Sequence, residues 1–263
     1  MFAMSLSASS VAAASAAWVW VPDSATVVED DQYAIMRLPD YFEYKLSVLA
    51  FRPSGPLGEA VDAVLARARS FGLPELRWQV GAAGPAGLAA ELTARGATVV
   101  LTLDVLASDL RGGAPPIPPP SVDVTLRWAT DFATARDGSA VGVSGFGGTL
   151  PPDDRIKENA SRDAASVPIG EGGMVVAYTG GGPAGSGGVS LVDGVARLWG
   201  GAVVPSERGK GVYRALLATR LSYAVANGAA MALVKGKIDT SGPILRRAGF
   251  AAFGQETLYS VPL

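Results

Sequence analysis

The chain has 263 residues, 49% of them hydrophobic and 17% charged, with 22 Lys and Arg against 24 Asp and Glu. Such a composition describes a folded globular protein of one large or two modest domains, not a disordered chain. A net charge of −2 supplies no basic field for nucleic acid or an anionic membrane, so neither is expected as a partner. The sequence holds no cysteine and no histidine, which excludes disulfides, thiolate metal sites, a cysteine nucleophile and the commonest general base; no metal is expected.

In chain order, MFAMSLSASSVAAASAAWVWV comes first. It lacks the basic start of a secretory signal and is too weakly apolar to span a membrane. It reads as a helix leading into a strand at Trp18 to Val21, and the expected location is cytoplasmic. Phe42 to Phe51 reads as a strand, Gly58 to Ser70 as a helix, and Leu76 to Val80 as a strand. Pro85 to Arg95 then forms a helix and Thr98 to Val105 a strand.

RGGAPPIPPPSV, Arg111 to Val122, carries five prolines and reads as a semi-rigid linker. Beyond it, Val122 to Trp128 alternates as a strand, and a helical region runs from Thr130 to about Ala165, broken near GFGGTLPPDD. Strands follow at Gly173 to Tyr178, Gly187 to Val192 and Val195 to Val204. Asp193-Gly194 suits a tight hairpin turn between the last two. Gly200-Gly201 inside the third suggests a bulge or a close backbone approach. A helix with Leu217, Leu221, Ala224 and Val225 on one face ends at Gly228. A buried strand (Ala230 to Lys235), a short helix (Ser241 to Ala248) and a final strand (Phe250 to Val261) complete the chain. The endings ELTARGATVVLTLDVL and ILRRAGFAAFGQETLYSV can be laid on each other as a weak internal repeat.

Between a strand and a helix stands VVPSERGKGVYRALL, Val203 to Leu217. Glycines at 209 and 211 let the backbone turn tightly or let something approach it closely. Free N–H groups and the positive end of the helix dipole suit an anion such as a phosphate. A plain helix entry with solvated basic residues fits the stretch equally well. A Walker A loop would need Ser or Thr at position 211, and a dinucleotide fingerprint would need glycine at Arg214.

Residues 203–213, in the order Val-x-Pro-x-x-Arg-Gly-x-Gly followed by Val212-Tyr213, resemble the acetyl-CoA motif of the GNAT acetyltransferase family. DTSGPILRRAGF resembles that family's second helix with its Gly249-Phe250. The resemblance covers most of residues 121–263 in element order, and the first part looks like a worn second copy. It implies an α/β (α+β) fold of two GNAT-like domains, each a mixed, mostly antiparallel sheet flanked by helices. The divisions are 1–112 (degenerate), 113–121 (linker) and 122–263 (N-acetyltransferase domain), with strands splayed at the acetyl-CoA site of the last.

The resemblance also implies acetyl-CoA as co-substrate, held by Val203, Val204, Arg208, Gly209, Lys210, Gly211, Val212, Tyr213, Arg214, Thr240 and Ser241. The activity implied is acetyl transfer to a primary amine, on an acceptor expected to be a small molecule, by direct attack in a ternary complex. The alternative is a non-catalytic acyl-CoA sensor or scaffold. In FRPSGPLGEAV, the first part's counterpart of the loop, Pro53 and Pro56 lack N–H groups, so no phosphate cradle is expected there. The family's usual tyrosine proton donor falls at Leu245, so Tyr213, Glu207 and Asp239 stand as catalytic candidates. Glu171, Asp193 and Tyr178 stand behind them, and Trp199 is expected to line the core or the acceptor cleft.

Overall fold

The computed structural model describes residues 6–263, so residues 1–5 of the expected N-terminal helix lie outside the described residues. The first half contains α1 (Ala8–Ala16), β1 (Thr26–Glu29), β2 (Tyr33–Arg37), β3 (Leu46–Phe51), α2 (Leu57–Arg69), β4 (Glu75–Gly81), α3 (Leu88–Ala94) and β5 (Thr98–Asp109). After the proline segment come β6 (Thr125–Trp128), α4 (Phe132–Phe146), α5 (Asp153–Ser166), β7 (Gly172–Thr179), β8 (Gly182–Val192) and β9 (Val195–Val203). A 3-10 turn (Pro205–Glu207) leads to α6 (Val212–Ala226), β10 (Met231–Lys237), α7 (Ser241–Arg247) and β11 (Ala251–Pro262).

Local chemistry accounts for most of these boundaries. Ser7 caps α1 by accepting from the Ser10 N–H at 3.0 Å, and Asp131 caps α4 by accepting from Thr134 N–H at 2.9 Å. Asp193 (φ 50°) and Gly194 (φ 73°) both take positive φ, the geometry of the two-residue turn expected between β8 and β9. The strand expected at Trp18 to Val21 does not form. Trp18 and Val19 donate back to Ser15 and Ala17, Pro22 follows, and Val19 to Val21 are 43–53% exposed. An apolar aromatic run without a neighbouring strand edge is therefore a helix exit. Asp30 instead shapes an unannounced hairpin, its carboxylate accepting from the Gln32 and Tyr33 N–H groups at 2.8 and 2.9 Å between β1 and β2.

All strands join one sheet in the order β1-β2-β3-β4-β11-β5-β10-β9-β8-β7-β6. Neighbours are antiparallel except β3 with β4 and β9 with β10. The halves therefore share a plan, a run of antiparallel strands (three in the first half, four in the second) and then one parallel neighbour. What completes each plan is unexpected. β5 leaves the first half to pair with β10, and β11 leaves the second half to pair with β4. The two travelling strands, which are the repeated endings of the sequence, pair with each other at the centre. Left-handed glycines launch both, Gly96 at φ 83° after α3 and Gly249 at φ 90° after α7.

Helices cover both faces. On one, α6 and α7 bury Leu217, Leu221, Ala224 and Leu245 against Leu106, Val189, Leu198 and Val234. On the other lie α4 and α5, through Ala135, Ile156 and Val176, and α1, through Val11, Val105 and Leu233. Each fully buried aliphatic side chain contributes about 1.5–3 kcal/mol.

Candidate functional site

The parallel pairing of β9 with β10 runs from Val195↔Met231 to Leu198↔Val234 and stops. Beyond it the two strands part, which opens a cleft from Trp199 onward on one side and Lys235 onward on the other. Opposite β8, Gly187 faces both Gly200 and Gly201, so β9 bulges where the sequence places its double glycine. Gly200 takes φ 60°. The extra residue resets the alternation. Leu198, Gly201 and Val203 face α6, whereas Trp199 and Ala202 face α4.

The glycine loop stands just past this cleft. Gly209 (φ 78°) and Gly211 (φ 88°) are both left-handed, and Gly211 is the N-cap of α6 with no side-chain cap. Among the described residues no acceptor faces the N–H groups of Gly209 through Arg214, although Arg208 N–H donates to Pro205 and Ala215 N–H to Gly211. A run of unpaired donors at a helix start, carrying the positive end of the helix dipole, is a site for an anion. Space in front of Gly209 is open, with nothing within 4 Å of a Cβ built there. Arg208 is exposed and donates from Nε to Val203 O at 3.2 Å. The back of the loop is tied down: Ser121 donates to Lys210 O at 3.0 Å through its N–H, and Arg214 donates to Pro119 O at 3.1 Å.

The three catalytic candidates separate. Tyr213 is half-buried, its ring packed against Gly201, where an added Cβ would lie 2.9 Å from the ring and 3.5 Å from the hydroxyl. It therefore flanks the mouth of the cleft. Glu207 is bound to Lys210 Nζ at 2.9 Å, and that hydrogen bond holds its carboxyl below the ordinary glutamate value, which suits an anchor of the loop more than a base. Asp239 is exposed in the turn after β10. Thr240, at the N-cap of α7, makes no capping bond, and Ser241 Oγ accepts from Lys237 N–H at 2.9 Å. Val203, Val204 and buried Val212 form the apolar flank of the loop. Tyr178 donates to Asp137 at 2.9 Å, two strands from the cleft. Asp193 and Glu171 lie at the opposite end of the sheet, roughly 25 Å away along β9.

One residue of the site is absent from the sequence expectations. Arg220, on α6, is 1% exposed and donates to Leu216 O at 3.1 Å and Gly188 O at 3.2 Å. Among the described residues its Nη2 has no partner, and its guanidinium sits 5.9 Å from the Tyr213 ring centroid. Burial pulls its pKa below the ordinary arginine value, and the Tyr213 side chain opposes that shift. Seven residues separate Tyr213 from Arg220, so both fall on the buried stripe of α6, and that spacing is the only signal the sequence held.

The corresponding place in the first half is shut. β3 and β4 pair only at Ser47↔Arg77, and the space beyond is filled by Phe51 set edge-on to Trp78, centroids 5.0 Å apart, with Trp78 1% exposed. At the start of α2 the Glu91 carboxylate and the Arg95 guanidinium each lie 3.3 Å from where a Gly58 Cβ would stand, so side chains of the protein crowd the helix start. Arg95 locks the Glu91 carboxylate there at 2.5 Å.

A mostly antiparallel sheet splayed beside a glycine loop and helix start is the architecture of an acyl-CoA-dependent acyltransferase. Residues 129–240 match the acetyltransferase (GNAT) family model. The fold of the whole chain is shared with a GCN5-related N-acetyltransferase from Kribbella flavida (TM-score 0.64, 18% identity, 99% of this chain and 97% of that one). It is shared as well with a tandem GNAT protein from the clavulanic acid biosynthesis pathway, determined without AcCoA (TM-score 0.59, 19% identity, 92% and 85%). A third match is a GCN5-related N-acetyltransferase from Sphaerobacter thermophilus (TM-score 0.63, 17% identity, 88% and 76%). No curated protein sequence matches the chain. Among the described residues no helix is long and apolar enough to cross a membrane.

Proposed function

We propose that the chain is an acetyl-CoA-dependent N-acetyltransferase with one working site, in the half spanning 122–263, and a degenerate half, 1–112, that completes its sheet. The observation that carries this reading is the run of unpaired N–H groups from Gly209 to Arg214 beside the β9/β10 splay. The amides would cradle the coenzyme pyrophosphate, with Arg208 adding charge. The pantetheine arm would lie along Val203 and Val204 and carry the thioester to Gly200-Gly201.

The acceptor amine, once deprotonated by solvent, attacks the thioester carbonyl carbon with its lone pair. The C–N bond forms, the tetrahedral intermediate collapses, and the C–S bond breaks. The departing thiolate must gain a proton. Leu245, where the family carries a tyrosine, is fully buried, so α7 offers no donor. Tyr213, approaching the cleft from the α6 face, is assigned that role, with Arg220 beneath it. Proximity in the ternary complex and backbone dipoles at the oxyanion supply most of the remaining acceleration.

Calorimetric titration with acetyl-CoA should give one site per chain, and an amine panel should show acetyl transfer. Two equivalent sites would refute the closed first half. Tyr213→Phe should lower kcat about a hundredfold while leaving acetyl-CoA affinity within a factor of two. An unchanged kcat would return Tyr213 to a packing role.

A further inference from the structure

The α4 side of the sheet, onto which the splay opens opposite Tyr213, has a charge pattern of its own. Trp199 and Arg197 of β9 point to this face, as do Lys235 and Lys237 of β10. Trp199 lies across Gly188 and donates to Ser190 Oγ at 2.9 Å. Arg197 donates to Ala17 O at 3.3 Å at the exit of α1, and among the described residues its buried Nε has no partner. Lys235 sits 5.8 Å from the Trp18 ring centroid, and Lys237 sits 5.9 Å from that of Phe146, the last residue of α4. Together they form a groove floored by β9 and β10 and walled by the end of α4 and the exit of α1.

Three cations face this groove. The carboxylate among them, Glu256, is already spent: it accepts from Lys235 at 2.9 Å, from Ser15 at 2.9 Å and from Gln79. Glu43, beside Gly147 at the end of α4, is exposed. Lys237 is exposed and, among the described residues, its ammonium meets an aromatic ring and no carboxylate. Arg197 and Lys237 therefore leave uncompensated positive charge on the acceptor side of the cleft.

We propose that this groove is the acceptor subsite and selects an amine that also carries an anionic group, a carboxylate or a phosphonate-like oxyanion. This rests on the acetyltransferase reading for the direction from which the thioester arrives. Trp199 and Phe146 flank the carbon skeleton of the acceptor. Lys237 takes its anion and fixes which end of the molecule meets the thioester, and Arg197 adds positive charge farther along the sheet. A dicationic acceptor is repelled by the same charges.

Four amines of matched length test this: 4-aminobutyrate, 3-aminopropylphosphonate, butylamine and 1,4-diaminobutane, titrated calorimetrically into protein saturated with coenzyme A and assayed with acetyl-CoA. The two anionic amines should bind at least tenfold more tightly than the other two, and the better of them identifies the oxyanion. Lys237→Glu should erase or invert that preference while acetyl-CoA affinity stays at the wild-type value. Equal binding of all four, a preference for the diamine, or an indifferent Lys237→Glu overturns the proposal. If no amine is acetylated but the anionic pair still binds selectively, the anion subsite is upheld and the transferase reading fails.

Discussion

A chain ending at Gly249, without β11, loses the fold of both halves. β11 lies between β4 and β5, and it is the strand that carries the sheet across from one half to the other. Its loss exposes the edge of β4, removes the fully buried Val261 from the first-half core, and frees β5 from one of its two neighbours. Each ladder hydrogen bond contributes about 1 kcal/mol net, and a twelve-residue strand paired on both sides is therefore comparable to the ~5–15 kcal/mol that holds a typical domain together. Circular dichroism should show no cooperative melt in the truncated chain. Fragments 1–112 and 122–263 should each fail to fold alone yet assemble one-to-one when co-expressed, because the exchanged strands then pair between chains. A cooperative melt of isolated 1–112 would show that the halves are autonomous and that the exchange contributes little.

The exchange explains which features could be read in advance. Gly209, Gly211 and the Asp193-Gly194 turn were legible because a left-handed backbone restricts the residue types that tolerate it. Gly200-Gly201 announced the bulge for the same reason. The destination of β5 was not legible. Its alternation fixes which residues face which side of a sheet, and says nothing of which strand lies beside it. The repeat between the two strands showed that they are equivalent, and equivalence is what permits them to trade places. Trp18 to Val21 misled because aromatic and β-branched residues suit a strand only where an open edge is available. Arg220 stayed hidden because an arginine on a helix ordinarily reaches solvent. Here the missing side chain of Gly187 leaves room for its guanidinium against the sheet, 3.0 Å from where a Gly187 Cβ would stand. Burial by a neighbour's missing side chain leaves no mark on the buried residue itself.

Gly209→Val should weaken acetyl-CoA binding more than a hundredfold, and Arg208→Ala about ten- to a hundredfold. Arg208 offers one charge-assisted contact, which is worth about 1.5–3 kcal/mol. A side chain at 209 stands in the open space in front of several unpaired N–H groups and excludes them together. The φ of 78° adds backbone strain of about 1–2 kcal/mol for a β-branched residue. Gly209→Asn separates the two causes, because asparagine tolerates the left-handed region while still projecting into the space a pyrophosphate would fill. It should fold like the parent and still lose most of its affinity. Gly211 is the poorer probe, since a Cβ there would meet Pro120 at 2.7 Å and Arg214 at 2.8 Å and so displace the proline segment that braces the loop. If the loop were only a solvated helix entry, all of these variants would bind acetyl-CoA as the parent does, or none would bind at all. A folded Gly209→Asn with parental affinity would therefore remove the pyrophosphate cradle, whatever its effect on stability.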